Sequence, residues 1–510
     1  MNPAIRNTTL ARVTFYSWAH GKINVVDADG RGPLVAISTE KRLGGAAAGS
    51  WSVGLKGYAT HGPHRNRPWT DLVEAGDWVT IDVVKNGTTY ALTAGPVDEV
   101  SPSVSASGTG AGVIDVSISG RDAGAALDDT PVYFNPWDPI HDNAAGKDML
   151  RITDGTVGGT PGAFVHKIIS GFMGKDGIFG GHVQVPPAIP IFKIGEVTVS
   201  SGKASYWSDL VDLDRARQAR LRGQIFAPQI LASEGAASVW AFVDAWRNPS
   251  MNEIFIDTGP DPRDRRFYLT FRERPFVNIF DGADSPWFRL PTADIDVDTI
   301  ASIALARGRD RVNHFTLLGE MAEMLGKDPY ALYKPVADFA SVSRYGIRRL
   351  EEQSRYFDEY KGDAGFQTKF KEWGSLVLGW NCLNHRLWSG NVTLAELRPD
   401  VRIGRRARLL HGPPGGYSGL PRDGGIHSKA LAFYVEGVRH DWAEGESPSA
   451  STTLTLTRGY VDGDIAGDTT EAVSRFRGVD LVPSGSANDI TTMDAYSDEA
   501  AAALGGSRLA

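Results

Sequence analysis

The stretch Asp77-Trp-Val-Thr-Ile-Asp-Val-Val84, followed at once by Asn86-Gly87, constrains this chain more than any other feature. Strict alternation puts Val79, Ile81 and Val83 on one face of a strand and Trp78, Thr80 and Asp82 on the other. Asn-Gly supplies the two positive-φ residues that a two-residue hairpin turn demands. The return strand is expected over 88–93, and a Ser/Gly-rich spacer over 101–112 leads to a further alternating strand over 113–118 that ends at Gly120. The N-terminal third therefore reads as an antiparallel meander.

Composition narrows the class. The 510 residues include 58 Gly and 28 Pro, an excess that implies many turns and many short strands. A single cysteine, Cys382, excludes an internal disulfide framework and a Cys-based zinc cluster, and reads as a small packed side chain. With 53 Lys+Arg against 61 Asp+Glu the formal charge is −8, which argues against gripping nucleic acid through a broad basic face. The first residues lack the charged-then-apolar design of a secretory signal, and no stretch is apolar enough to span a bilayer. The expectation is a soluble protein made in the cytoplasm, without a membrane anchor.

The period changes in the middle. Past a Gly/Pro-rich stretch over 154–190, residues 208–221 read as an amphipathic helix. Val239, Trp240, Phe242, Val243 and Trp246 recur at helical spacing until Asn248-Pro249 stops them, and they read as a core face. Short strands are expected over 253–257 and 267–272, and a third helical region over 364–388. Strand patterns return over 401–410, 431–438 and 452–457, and beyond about residue 482 the Ser/Ala/Gly/Asp-rich chain reads as loosely ordered or ordered by a partner.

The two β regions echo each other. The segment from Glu74 can be laid on that from Arg402 with Gly76 on Gly404, then Gly95 falls on Gly437 and Gly120 on Gly459. One chain then carries two copies of a β unit, and three such chains around an axis would present six similar units to a sixfold object.

No catalytic constellation survives inspection. The chain has no Gly-x-Ser-x-Gly elbow, no His-Glu-x-x-His and no Walker loop. His61 and His64 lie in a Gly-Pro loop without a third ligand, which is a poor metal signal. His440-Asp441 near Glu436 reads as a surface charge pair rather than acid–base machinery. Arg402, Arg405, Arg406 and Arg408 form the one dense basic run; Arg402, Arg406 and Arg408 share a strand face that could meet nucleic acid or a partner's acidic surface. Arg344-Tyr-Gly-Ile-Arg-Arg-Leu-Glu351 allows the same two readings. No catalytic, cofactor-binding or metal-ligating residue is assigned, and no cofactor is expected.

At this point a family pattern stands out. Leu431-Ala-Phe-Tyr-Val-Glu-Gly-Val-Arg-His-Asp-Trp442, followed by Ser451-Thr-Thr-Leu-Thr-Leu-Thr-Arg-Gly459, resembles the final strands of bacteriophage baseplate hub proteins. These belong with the late control protein D family and the hub part of type VI secretion spikes. Supporting likenesses are Gly95-Pro-Val-Asp98 with Ile118-Ser-Gly-Arg-Asp122, Phe267 to Phe276, Ser343-Arg-Tyr-Gly-Ile-Arg-Arg349, and Asn391-Val-Thr-Leu394 with Pro399 to Gly404. Together they span roughly residues 72–460. Ile347 interrupts the family's usual Tyr-Gly-Arg-Arg, and Arg405 replaces its common Asp.

The resemblance implies a β-rich α+β fold with two tube-type β-barrel domains and inserted mixed α/β domains. The barrels are expected over 1–120 and, discontinuously, over 291–345 and 398–465. An α/β region over 121–290 (helices near 208–221 and 236–247), a helical insertion over 346–397 and a C-terminal extension over 466–510 complete the scheme. It further implies a homotrimeric, non-enzymatic baseplate hub in the virion tail, assembled in the host bacterial cytoplasm. Its pseudo-hexameric ring would join the sixfold tail tube to the threefold central spike. Implied partners are the tail tube or distal tail protein, the spike, the tape-measure protein and baseplate wedge proteins, with DNA passing through the lumen unbound. The alternative is the hub part of a phage-derived injection particle or type VI-like spike. A tail-tip cell-wall-degrading or carbohydrate-binding protein fits less well.

Overall fold

The computed structural model describes residues 9–27, 30–44, 48–106, 112–129, 131–132, 237–245, 252–258, 267–275, 287, 290–307, 311–319, 336–338, 342–343, 345–354, 378, 381, 387–410, 431–444, 449–461 and 490–492. The helix expected over 208–221, the Gly/Pro stretch over 154–190 and Cys382 lie outside them, as does most of the helix expected over 364–388, whose last residue, Trp388, is a strand residue.

Seven strands form the first half: β1 (Leu10–Ser17), β2 (Gly21–Asn24), β3 (Leu34–Arg42), β4 (Ser50–Lys56), β5 (Trp78–Lys85), β6 (Thr88–Ala106) and β7 (Gly112–Arg121). Then come α1 (Ala125–Asp129), β8 (Pro131–Val132), β9 (Ala237–Ser238), α2 (Val239–Ala245) and a hairpin of β10 (Asn252–Thr258) with β11 (Phe267–Glu273). The second half uses β12 (Thr292–Ile295), β13 (Ile300–Arg307), β17 (Trp388–Leu394), β18 (Arg406–Leu409), β19 (Leu431–Ala443) and β20 (Ser449–Val461). A separate four-stranded sheet holds β14 (His314–Gly319), β15 (Val336–Asp338), β16 (Arg349–Ser354) and β21 (Ile490–Thr492). Within 291–345, then, β12 and β13 belong to the main sheet while β14 and β15 do not. Described parts of 346–397 include the strands β16 and β17, and β21 draws part of 466–510 into a sheet.

Both halves join in one 13-stranded sheet with the path β13-β17-β20-β19-β3-β4-β7-β6-β5-β1-β2, onto which β18 and β12 attach beside β19. Every pairing in it is antiparallel except β12 with β18. Among the described residues these pairings form an open path rather than two closed rings. Asn86 and Gly87 have φ of 51° and 75°, as their hairpin turn requires. The 101–112 spacer is mostly strand: β6 runs on to Ala106, because pairing with β7 overrides the weak strand preference of its serines. β5 is buried on both faces, Thr80 and Asp82 included, so its alternation does not separate core from solvent.

The second half repeats the first in backbone detail. Gly76 N donates to Val97 O at 2.9 Å and Val97 N to Asp77 O at 2.7 Å; correspondingly Gly404 N donates to Val435 O at 2.9 Å and Val435 N to Arg405 O at 2.9 Å. Both glycines lie in the left-handed region, φ 93° and 70°, where a side chain is strained. The strand order β5-β6-β7-β4-β3 recurs as β18-β19-β20-β17-β13. The irregularities recur too. β6 slips against β7 between Val97 and Glu99, as β19 does against β20 between Val435 and Gly437. β3 slips against β4 between Leu34 and Ala36, as β13 does against β17 between Ile300 and Ser302. Each first slip leaves an acid at the bulge: Arg121 pairs with Asp98 at 2.9 Å, and in the corresponding place Thr457 Oγ1 donates to Glu436 at 3.0 Å. The backbone match sets Gly95 on Phe433 and Gly120 on Leu456, so of the three glycine anchors read from sequence the first coincides and the other two are displaced.

Each half has its own core. Val13, Phe15, Trp51, Val53, Trp69, Ile81 and Ile118 are among those filling the first, with Leu397 reaching in from the second half. Val392, Leu394, Ile403, Phe433, Val435, Leu454 and Leu456 are among those filling the second.

Candidate functional site

The most unusual chemistry lies where the halves meet. There β3 pairs with β19 from Arg42 opposite Gly437 to Ala36 opposite Ala443. Beneath this ladder lies a buried charged cluster. Lys41 is on β3, Asp122 follows β7, Asp257 is on β10, Arg402 precedes β18 and His440 is on β19, and all five are buried. Lys41 Nζ lies 3.2 Å from Asp122 and 3.7 Å from Asp257, and Arg402 lies 3.5 Å from Asp257. Arg402 Nη2 also donates to the Ala91 carbonyl on β6.

Two cations here face two carboxylates, so each buried charged side chain has a partner of opposite sign. Burial pushes the Asp122 carboxyl upward, opposed by Lys41 and by the Gly124 and Gly49 amides. Burial, and then the neighbouring Arg402 charge, bring His440 down to about 3, so its ring is neutral at ordinary pH. Its Nδ1 shares a 3.0 Å hydrogen bond with Thr452 Oγ1, which also accepts from Arg398 N at 2.8 Å. With every side chain withdrawn from solvent, the arrangement can hold strands in register. It presents no group to a substrate.

A histidine lowered on folding stabilises fully above its unfolded value of 6.5, and that stability is lost as the pH falls toward about 3. The pH dependence of thermal unfolding checks this. His440→Gln should flatten the fall between about pH 6.5 and pH 4, where the native histidine costs roughly 3 kcal/mol.

A second buried group extends the joint. Tyr434 Oη donates to the Glu253 carboxylate, with oxygens at 2.6 and 2.7 Å, linking β19 to β10. Trp287 packs on Tyr434 with ring centroids 5.9 Å apart, and the Arg406 guanidinium stands 5.2 Å from the Trp287 ring.

These placements revise the sequence expectations. Arg402 and Arg406 are buried, Arg405 is half-buried, and Arg408 makes a solvent-exposed pair with Asp294 at 2.7 and 2.8 Å, so the run does not form one basic face. Only Arg406 and Arg408 lie on a strand, because the Gly404 turn delays β18. His440 is no surface residue: the bulge at Glu436 breaks the alternation that placed both on an exposed face, and Val438 and His440 turn inward. His61 shares a hydrogen bond with Thr60, and His64 packs edge-on against His20 with centroids 5.6 Å apart. Among the described residues no group of three or more His, Cys, Asp or Glu could hold a metal. Tyr345, Ile347 and Arg348 are exposed on a segment that Asn313 ties through Gly346 O and Arg348 N, while Arg349, the exposed first residue of β16, pairs with Glu351. Lys41, Asp122 and Asp257 escaped sequence reading, although Lys41 shares the inward parity of Ile37 and Thr39 in β3.

No family model matches the chain, and no curated protein matches it. Among solved structures it is similar to a tail protein from Neisseria meningitidis MC58, at 12% identity and a TM-score of 0.38, covering 88% of this chain and 96% of that one. It is also similar to the 43 kDa tail protein of prophage MuSo2 from Shewanella oneidensis, at 13% identity and 0.36, covering 88% and 98%. A third similarity, at 11% identity and 0.34, covering 83% and 73%, is to the Escherichia coli c3393 protein, described as a type VI secretion component structurally similar to T4 bacteriophage tail proteins gp27 and gp5. At these scores the likenesses assign no role to any residue of this chain. No helix among the described residues is long and apolar enough to cross a membrane.

Proposed function

We propose that this chain is the structural hub of a bacteriophage baseplate, a homotrimer in the virion tail that joins the sixfold tail tube to the threefold central spike. What carries this reading is the repeat itself. One polypeptide holds two copies of a five-strand unit, matched in order, turn hydrogen bonds and bulges, and joins them edge to edge. Each unit wraps its own core as a tube-type barrel domain would, and three chains offer six such units to a sixfold neighbour. The motifs over roughly 72–460 support it in their order along the chain.

In this role the chain carries no catalysis. The buried ion cluster holds the angle between the two units, and a subunit charge of −8 keeps passing DNA from adhering. The tail tube or distal tail protein and the spike meet the ring at opposite ends. The tape-measure protein and DNA use the lumen, and wedge proteins surround it. Solution mass by light scattering, with electron microscopy of the particle, tests the reading. A threefold assembly is the expected result, whereas a stable dimer, or a lone monomer that degrades peptidoglycan, overturns it.

A further inference from the structure

The joint between the two halves has two sides, and the chain owns a second copy of each. The edge of β3 lies against the stretch of β19 beyond its Glu436 bulge. By the backbone repeat, β13 is the counterpart of β3, with Ile303 for Ile37 and Leu305 for Thr39, because both residues of each pair face matched partners in β4 and β17. The stretch of β6 beyond its Asp98 bulge is likewise the counterpart of Gly437–Ala443. Among the described residues, β13 pairs only with β17, and β6 beyond Val97 pairs only with β7. Among the described residues one chain therefore carries two complementary unpaired edges.

We infer that two copies of this chain join by adding β13 of one to β6 of the next, repeating between subunits the joint made once within each. This rests on the proposed assembly of identical subunits and names its contact. Transferring the β3–β19 register sets Val100 opposite the second copy's Arg307, Ser101 opposite Ala306, Pro102 opposite Leu305, Ser103 opposite Ala304 and Val104 opposite Ile303.

Burial differs between the joined and unjoined copies as this requires. Ile37 and Thr39 are 2% and 4% exposed, whereas their counterparts Ile303 and Leu305 are only half-buried. Trp442 packs against the first core, whereas its counterpart Val104 is 71% exposed. An apolar residue that open on an unpaired edge invites strand addition. Pro102 has no N–H to donate, so the joint forgoes one main-chain hydrogen bond at that position and relies on the flanking residues. A head-to-tail contact of this kind must close into a ring or run on as a filament.

Cysteine pairs read the register. Ser103 and Ala304 are exposed, and in the joint already made their counterparts Asp441 and Ser38 touch through a 2.7 Å hydrogen bond. Opposed residues at that separation fit a disulfide. In a Cys382→Ser background, the Ser103→Cys/Ala304→Cys chain should run after oxidation as a covalent oligomer on a non-reducing denaturing gel. The two single variants and the out-of-register Ser101→Cys/Ser302→Cys chain should run as monomers. Val104→Asp should dissociate the oligomer while leaving the monomer's Tm unchanged. An oligomer by light scattering without the in-register cross-link, or with equal cross-linking of the out-of-register pair, overturns the joint and leaves the trimer standing. A chain that stays monomeric and uncross-linked at its highest soluble concentration also overturns the joint, while the trimer falls only if the monomer persists when tube and spike proteins are added.

Discussion

Lys41→Met should lower the protein's stability by about 3–5 kcal/mol at neutral pH, the range for removing one member of a buried ion pair. The lysine is the nearest cation to Asp122, at 3.2 Å, and it also donates to the Ile256 carbonyl at 3.4 Å. Methionine fills a similar volume, so the loss measures charge rather than a cavity. Asp257 keeps Arg402 at 3.5 Å, which leaves Asp122 as the group that suffers. Its carboxyl is already pushed up by burial, and without Lys41 it rises further. An acid raised on folding gives stability that is present below its unfolded value of 3.8 and lost as the pH climbs through the folded value. The deficit relative to the parent protein should therefore shrink as the pH falls from 7 toward about 4. Adding Asp122→Asn to Lys41→Met should return part of the loss at neutral pH. Urea unfolding of the parent, the Lys41→Met protein and the Lys41→Met/Asp122→Asn protein across that range is the check, and a pH-independent deficit would assign Lys41 a packing role alone.

Gly95→Ala should cost roughly 3 kcal/mol, the upper end for forcing extra volume into a packed interior. A Cβ at Gly95 would stand 2.0 Å from Arg121 O and 2.7 Å from the Asp122 backbone. Those atoms are main chain at the end of β7 and cannot swing aside as a side-chain tip would. The strain would also displace Asp122, coupling this position to the ion cluster. Gly54→Ala is the control, because its Cβ meets nothing nearer than 3.7 Å in the interior of β4. There alanine should leave Tm within a degree or two or raise it slightly, since glycine inside a strand costs about 0.5–1 kcal/mol relative to alanine. Differential scanning calorimetry separates the two outcomes, and equal shifts would remove the backbone clash as the cause.

The hairpin at Asn86-Gly87 was legible because a two-residue turn needs those residue types and little else. The repeat was legible at Gly76 and Gly404, where positive φ demands glycine in both copies. Its later anchors slipped because glycine is the wrong marker there. What the two halves share at that point is a valine, Val97 or Val435, and an acid-bearing bulge, and a bulge leaves no fixed signature in composition. The serines of β6 concealed a strand, since the partner β7 stabilises it rather than local preference. The ion cluster was hidden for a different reason. Its members come from β3, β10, β19 and two loops, so no window of sequence contains more than one of them. Only parity gives a hint, in the charge of Lys41 at a position that alternation assigns to the core.

The joint between β3 and β19 also sets a clock for biosynthesis. Ser38 and Asp441, which touch in the finished joint, are 403 residues apart in the chain. At synthesis rates of about 5–20 residues per second, roughly 20–80 s pass between the emergence of one and the other. Throughout that interval the first half can fold around its own core, yet β3 stands without its neighbour. Nascent chains on the same message would expose the same edge at the same time. Contacts of such long range form late and slowly, so the interval before β19 arrives is the period when this chain is most open to mispairing.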